Sequence, residues 1–492
     1  MTDRSQNLTL LAVYAGSLAL AFFIGYSVAV AQGVQSAVVV GGVLAMLVTP
    51  LLVRGHQALL LFCWNSTITF TFLPGSLPSW LVASLVVFAL LLMQRGLKRT
   101  GEFTIVRVLT WPMMVFATVV VVTMLARGGV AIQWLGSGEL AGGRKYMYIL
   151  GAIVGYFALS LQRIPVDKAW FYTLLFFIGG LTGFLGPLGT YVGGAFDYLM
   201  LLFSPVEGVA TFEDTFRVKG MSFVGNAIFG VMLARYGFGG IFHTPQLWRP
   251  LVLILGMMLG LVSGYRTLLV LYGGTLVLMF ILEGWVKTRW TLIWIFVLGL
   301  GGLGLYQTTP LLPTPVQRAL AVLPLPVKAA VRLDATGTIE WRQGLWEALL
   351  ADVPRYLWLG KGMAISSREM DWADTLSRFG GKQWDYAYIT GEHHNGFLSV
   401  IIAFGVWGLA AFFWLLGAGW YVLWKNWKHG RPELTNVNAL LLSSYLCWIL
   451  LFFTYWGTLY WSLRDFTGIL GFSVALNHGL ASQRERELPA GD

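Results

Sequence analysis

Two adjacent histidines, His393 and His394, stand where a long polar segment meets an apolar run. A neutral imidazole can take a proton from an attacking hydroxyl group near neutral pH, and ionisable groups at a membrane edge are often functional. The alternative is a structural histidine whose ring nitrogens bond to loop backbone. We predict that His394 is a general base and leave open whether His393 assists it or substitutes for it.

Three arginines precede the histidines in the sequence and have the chemistry to bind phosphate. The planar guanidinium of Arg217, Arg266 or Arg342 can meet two phosphate oxygens at once. Each arginine also has a purely structural explanation. Arg217 can be a surface charge, Arg266 a snorkelling side chain or a salt-bridge partner, and Arg342 an anchor at the membrane interface. Lys219 is a further cation close to Arg217.

A base together with several fixed cations suits one class of reaction. An acceptor hydroxyl attacks a carbon whose leaving group is phosphate or pyrophosphate; the base removes the proton, and the arginines stabilise the charge that develops on the leaving group. The sequence contains no pattern of metal ligands, nucleophile elbow or glycine-rich phosphate loop, so we predict neither a metal nor a cofactor.

The elements that must position these residues are helices in a membrane. The chain of 492 residues is 57% hydrophobic and only 11% charged, whereas soluble proteins have about 25% charged residues. We predict an all-α polytopic integral membrane protein with about 12–14 transmembrane helices and one long periplasmic loop that contains short helices. The lipid bilayer is thus a partner, and nucleic acid is not. The apolar runs fall near 8–31, 36–53, 57–73, 79–93, 104–126, 146–162, 169–190, 220–240, 249–263, 267–283, 290–308, 395–424, 436–459 and 466–482.

Charge counting predicts the orientation. One alternating set of connections, which includes both termini, holds 17 of the 33 Lys and Arg residues but 8 of the 23 Asp and Glu residues. Because cytoplasmic loops collect Lys and Arg, this set should face the cytoplasm. The long loop, both histidines and the three arginines then lie on the outer face.

Four regions follow from this pattern. We predict N-terminal transmembrane helices in 1–210, helices with arginine motifs in 211–308, the periplasmic loop in 309–393, and C-terminal helices with a short cytoplasmic tail in 394–492. The prolines from Pro310 to Pro326 disfavour a helix at the start of the loop. Apolar residues at helical spacing over 338–350 predict a short amphipathic helix, which either lies at the outer interface or packs within a loop subdomain.

Taken together, the motifs resemble those of the O-antigen ligase-like superfamily of bacterial envelope glycosyltransferases, which includes O-antigen ligases, O-antigen polymerases and protein O-oligosaccharyltransferases. The likeness covers roughly 210–480. It is carried by His394-Asn395-Gly396-Phe397-Leu398 with Phe404-Gly405-Val406-Trp407-Gly408 downstream, by Arg342-Gln343-Gly344-Leu345-Trp346 with Leu359-Gly360-Lys361-Gly362, by Ser263-Gly264-Tyr265-Arg266, and more weakly by Arg217 through Asn226.

The resemblance implies a function and roles for the site residues. It implies a metal-independent glycosyltransferase of the bacterial inner membrane that takes a glycan from an undecaprenyl-pyrophosphate carrier to a lipid or glycan acceptor at the periplasmic face. Arg217 and Arg266, with Arg342 as a further cation, would hold the pyrophosphate, His394 would be the base, and Asn395 belongs to its motif. Phe404 replaces an acidic residue that is common in the family. A polymerase of the same fold, a flippase for lipid-linked sugars and a non-catalytic scaffold remain as alternatives.

Overall fold

The computed structural model describes most of the chain beyond the first 54 residues. The described residues are 55–71, 76–96, 104–129, 140–192, 194–203, 218, 220–366, 369, 371–372, 375 and 385–481. The predicted spans at 8–31 and 36–53 lie outside them. Residues 60–492 belong to one compact unit, and residues 1–59 belong to another, of which only 55–59 are described.

Helices make up most of the described structure. The α-helices are α1 (55–65), α2 (Ser79–Gly96), α3 (Arg107–Arg127), α4 (Gly143–Ser160), α5 (Ala169–Ile178), α6 (Leu185–Val192), α7 (Met221–Phe242), α8 (Trp248–Leu261), α9 (Arg266–Leu282), α10 (Trp290–Thr308), α11 (Thr314–Leu320), α12 (Ala329–Tyr356), α13 (Asp385–Thr390), α14 (Gly396–His429), α15 (Thr435–Thr454) and α16 (Leu459–Leu476). Two short antiparallel pairs join β1 (Thr69–Phe70) to β2 (Leu77–Pro78) and β3 (Leu140–Ala141) to β4 (Ile365–Ser366).

Six segments in the described part of the chain are long and apolar enough to cross a membrane. They indicate a multi-pass membrane protein, as the composition predicts. Two further apolar helices, Trp248–Leu261 and Arg266–Leu282, are shorter. The six are Ser79–Gly96, Arg107–Arg127, Val166–Gly189, Trp290–Leu311, Gly396–His429 and Pro432–Thr454. The predicted total of 12–14 spans and the predicted orientation remain predictions.

Some predicted boundaries are right and others are wrong. The run 290–308 coincides with α10, but the run 436–459 is interrupted because α15 ends at Thr454 and α16 begins at Leu459. Sequence hydropathy misses this break, since the turn residues Tyr455 and Trp456 are themselves aromatic. The last helix thus begins seven residues before the predicted 466, and the turn before it supplies two side chains to the site described below.

The polar segment 309–393 is more helical than predicted. The helix expected over 338–350 is the central part of α12, which has 28 residues rather than one short stretch. The proline-rich start also contains a helix, α11, because Pro315 occupies its first turn, where no backbone N–H is needed. Leu345 and Leu349 on α12 pack against Leu398, Ile401 and Ile402 of α14, so this part of α12 is a packed helix.

A kink in α14 fixes the polar segment to the helical bundle. Gly405 has φ 67° and ψ −166°, a conformation that interrupts the helix and favours glycine. The break frees backbone groups: the N–H groups of Lys361 and Gly362 donate to the carbonyls of Ile402 (2.7 Å) and Ala403 (2.9 Å), and the N–H of Val406 donates to the Leu357 carbonyl (2.7 Å). The segment after α12 is therefore hydrogen-bonded directly into a membrane helix.

Candidate functional site

The His393–Asn395 turn joins α13 to α14 at the predicted junction. His394 has φ 51°, in the left-handed region that non-glycine residues rarely adopt. The side chain of Asn395 caps α14 by accepting a hydrogen bond from the N–H of Leu398 at 3.1 Å. The turn is held against the α15–α16 connection, where a Cβ at Gly457 would overlap the backbone of Asn395 and Gly396.

Aromatic rings surround the side chain of His394. Its ring centroid lies 5.4 Å from that of Trp341 on α12 and 5.9 Å from that of Trp456 in the α15–α16 connection. Trp456 in turn lies 6.0 Å from Tyr265, the residue before α9. Regions that are far apart in the sequence thus meet near His394. One of them is the turn that interrupts the predicted 436–459 span.

Arg342 is the cation next to His394. Its Cζ lies 4.0 Å from the ring centroid of Tyr455, a cation–π geometry. The buried Nε of Arg342 has no hydrogen-bond partner among the described residues. Burial lowers the pKa of this guanidinium; Tyr455 opposes the shift and the positive charge of Arg266 adds to it. Arg342 and Arg266 are therefore close enough to share an electrostatic field.

Arg266 is buried and already holds protein acceptors. It begins α9 directly after a tight connection from α8, as predicted, and is 8% exposed. Its guanidinium donates to Asp334 Oδ2 (3.2 Å), to the Arg318 carbonyl (3.3 Å) and to the Ala335 carbonyl (3.4 Å). Arg318 also bridges Asp334, at 3.0 Å. Two arginines thus share one carboxylate, which leaves an excess positive charge beside Arg342.

These surroundings keep His394 neutral. Burial, with the charge of Arg342 as a second cause, lowers the pKa of His394 from 6.5 to about 4. Its Nδ1 is buried without a partner among the described residues. At neutral pH the ring is therefore uncharged and can accept a proton, next to a cation that can stabilise negative charge.

His393 faces a different group of residues. It is 6% exposed, and its carbonyl accepts a hydrogen bond from Trp346 Nε1 at 3.0 Å. Burial, followed by the charges of Lys145 and Lys361, lowers the pKa of His393 to about 3. His393 borders a cleft that includes both lysines, whereas His394 adjoins Trp341 and Arg342. The two neighbouring histidines are therefore not equivalent.

The structure brings together some of the predicted site residues. His394, Arg342 and Arg266 form one cluster, His393 adjoins it through the backbone, and Asn395 caps the helix. Arg217 and Lys219 lie outside the described residues. Asn226 is described, on α7, with its Oδ1 buried and without a partner there.

Sequence reasoning missed several residues of this region. Tyr455 and Trp456 lie in an apolar run of the sequence, and Asp334 does not belong to any motif. Lys145 lies far from the histidines in the sequence, and the sequence marks Lys361 only as a residue between two glycines of a motif. Among the described residues, no three His, Cys, Asp or Glu side chains are grouped so that they could share a metal ion.

Comparison with known protein families and with curated proteins finds no match to this chain. The resemblance of its short motifs to those of the O-antigen ligase-like superfamily therefore remains a prediction from the sequence.

Proposed function

We propose that this protein is a membrane glycosyltransferase of the O-antigen ligase type. It would move a glycan from a lipid-pyrophosphate carrier, undecaprenyl pyrophosphate in bacteria, to an acceptor hydroxyl group. The observation that carries the proposal is a neutral, half-buried His394 with a buried Nδ1, close enough to the cation Arg342 for its charge to lower the histidine pKa. Arg342 in turn lies within the electrostatic influence of Arg266.

The roles that we assign to His394, Arg342 and Arg266 follow from their charge and burial. His394 is the base that takes the proton of the acceptor hydroxyl. Arg342 stabilises the pyrophosphate as it leaves, because its buried Nε has no described protein acceptor and can donate to an oxyanion. Arg266 contributes the electric field of its positive charge rather than hydrogen bonds, since its own N–H groups already bond to Asp334 and to two carbonyls. Arg217 remains a candidate pyrophosphate ligand on sequence grounds.

The reaction is a single displacement. The acceptor oxygen forms a bond to the anomeric carbon while the bond to the pyrophosphate oxygen breaks, and the proton passes to His394. One displacement inverts the anomeric configuration, and these residues supply the base and the leaving-group stabilisation that it needs. We place the site on the periplasmic face of the bacterial inner membrane, with both termini in the cytoplasm, because of the charge bias of the connections.

The possible transferases differ in the acceptor that they use. A ligase uses lipid A core, a polymerase uses another lipid-linked repeat, and a protein transferase uses a Ser or Thr side chain. A flippase is less favoured, because the histidine–arginine cluster has Arg266 at the start of α9, Arg342 on α12 and His394 just before α14, rather than a relay of charges within the spans.

Reconstitution in proteoliposomes with a lipid-pyrophosphate glycan and each acceptor tests the function. Labelled lipid A core would identify a ligase, and longer lipid-linked chains would identify a polymerase; the anomeric configuration of the product should be inverted. Movement of the lipid-linked sugar across the bilayer without any new glycosidic bond would instead support the flippase, and the proposal would be wrong.

A further inference from the structure

A cleft lies beside the other histidine, His393, and is lined by both polar and apolar residues. The space inside it, counted together with the part that is open to solvent, is about 530 Å³, and its lining includes Lys145, Asp352, Lys361, Tyr388, His393 and Tyr460. None of Arg266, Arg342 and His394 lines it. The cleft is therefore distinct from the cluster to which the base and the leaving-group cations belong, although the two meet at consecutive residues of one turn.

Residues of α4, α12, α13, α14 and α16 line the cleft, together with the segment after α12. Lys145 Nζ donates to the Thr390 carbonyl and lies 5.5 Å from the ring centroid of Tyr460. Lys361 is placed by the hydrogen bonds that its backbone makes with the kink in α14, and its Nζ lies 3.2 Å from Glu369 Oε1. An ammonium group has three N–H donors, so each lysine can donate further.

His393 lines this cleft and has a buried ring nitrogen. Its Nδ1 has no hydrogen-bond partner among the described residues, and the side chain is more than nine-tenths buried. A buried ring nitrogen left without a hydrogen-bond partner destabilises the folded protein. A ligand that bonds to this atom would recover that loss.

The charges of the cleft argue against an ionic ligand. The lining residues include two ammonium groups, those of Lys145 and Lys361, and one carboxylate, that of Asp352, which accepts a hydrogen bond from the Tyr388 hydroxyl. Two more carboxylates are close by: Glu369 pairs with Lys361, and Glu392 accepts a hydrogen bond from Tyr460 at 3.1 Å. An anion would meet these carboxylates and a cation would meet the lysines, so neither sign of charge is clearly favoured.

A sugar hydroxyl matches this mixture better than an ion does. Each hydroxyl donates one hydrogen bond and accepts up to two, so it can bond to a lysine and to a carboxylate at the same time. Tyr388 and Tyr460 add apolar ring surface between the polar groups, as in many ligand clefts.

We propose that this cleft binds an uncharged sugar ring of the glycan acceptor. Its role as the acceptor site rests on the function proposed above, whereas the binding of a sugar does not. The position beside His393 places the acceptor next to the turn that carries the base, and outside the arginine cluster assigned to the departing pyrophosphate.

Saturation-transfer NMR on the full-length protein in nanodiscs tests sugar binding directly. The probes are methyl glucoside, methyl glucuronide and glucosamine, which are neutral, anionic and cationic. We expect methyl glucoside to bind most tightly and Lys361→Gln to weaken it about tenfold, because one charge-assisted hydrogen bond is lost. Lys361 is 28% exposed on its side chain, so the variant should fold.

Lys328→Gln is the matched control. It removes the same charge from an exposed lysine of the polar segment that does not line the cleft, and binding should stay at the wild-type level. Equal binding by wild type and Lys361→Gln, or tighter binding of methyl glucuronide or glucosamine than of methyl glucoside, would overturn the proposal.

Turnover assays separate this inference from the proposed function. In a transferase, Lys361→Gln should raise KM for the acceptor and leave KM for the lipid-linked donor unchanged. Unchanged KM for both, with normal transfer, would reject the acceptor cleft alone. Methyl glucoside binding that depends on Lys361, in a protein that transfers no glycan, would leave a sugar site and reject the transferase.

Discussion

Two polar clusters lie among the apolar helices, and they differ in whether their buried polar atoms have hydrogen-bond partners. One consists of Asn426, Asn438 and Asn477 on or next to α14, α15 and α16. Asn438 and Asn477 exchange amide hydrogen bonds at 2.9 and 2.8 Å, and Asn426 donates to Ser473 Oγ at 3.0 Å and accepts from the N–H of Ala481 at 2.9 Å. All three side chains are at most 7% exposed.

The other cluster is the one around His394, and it contains buried atoms without described partners. They are His394 Nδ1, Arg342 Nε and, on the adjoining cleft, His393 Nδ1. Native proteins satisfy the great majority of buried polar groups, so a group of exceptions needs an explanation. The asparagines stabilise the packing of three helices, whereas the histidines and Arg342 retain hydrogen-bonding capacity that a substrate can use.

The largest expected effect is on turnover by His394→Asn. Asparagine tolerates the left-handed backbone at this position, so the turn should keep its shape, and it cannot act as a base. We expect turnover to fall about 10²–10⁴-fold, the usual contribution of a general base, with little loss of thermal stability. Glycan transfer and thermal unfolding are measured on the same nanodisc preparation.

His393→Gln serves as the comparison for that variant. It alters the other histidine, which does not adjoin Arg342, and it should act mainly on the acceptor. A His394→Asn protein that transfers glycan at the wild-type rate would remove the base assignment and with it the proposed difference between the clusters.

A smaller effect is expected from Asn438→Ala, and it should fall on stability. The substitution leaves the Asn477 amide without its reciprocal partner, and it should cost about 1–3 kcal/mol of unfolding free energy. Turnover per folded molecule should be unchanged, because the cluster provides no group for the chemistry. A specific loss of turnover at full stability would show that the satisfied cluster also serves function.

The smallest effect is a pH dependence. The pKa of His394, lowered to about 4, keeps this imidazole unprotonated, so turnover by the proposed transferase should stay level as the pH falls from about 7.5 to 5.5. An ordinary imidazole would lose most of its free base over that range. A steep loss of turnover centred near pH 6.5 would contradict the buried environment.

The same shift affects folding in a defined direction. Below pH 6.5 the unfolded chain takes up a proton at this histidine, while the folded chain does so only near pH 4, so folding stability is lost as the pH falls through that window. The titration of unfolding free energy should be flatter in His394→Asn. An Asn438→Ala protein should keep the wild-type slope, since asparagine does not titrate.

The parts of the site that could be predicted are those with local signals. A break between two apolar runs indicated the turn at Arg266, and a polar-to-apolar junction indicated the turn at His394. The spacing of Trp341, Leu345 and Leu349 predicted a helix, and it is present. Its extension back to Ala329 was not predicted, because Thr336, Gly337 and Thr338 are weak helix formers that the packing overrides.

The parts that could not be predicted depend on contacts between distant residues. Asp334 is one acidic residue among many until α9 places Arg266 against it. Tyr455 and Trp456 look like ordinary span residues, since aromatic side chains add to the apolar count whether they lie in a helix or in a turn. The different surroundings of His393 and His394 follow from a backbone conformation that sequence periodicity does not contain.

The kink at Gly405 also bears on how the protein is made. The carbonyls of Ile402 and Ala403, left open by the kink, are covered by N–H groups from a segment some forty residues upstream. Ile402 and Ala403 are buried in the protein, where a carbonyl without a partner is unfavourable, so we expect the bent form of α14 to need that segment in place. We therefore expect the folding of this helix to be completed by a part of the chain that is synthesised before it. A Gly405→Ala chain should be recognised as immature by membrane proteases, because a Cβ at this position would press against the Leu357 and Trp358 carbonyls.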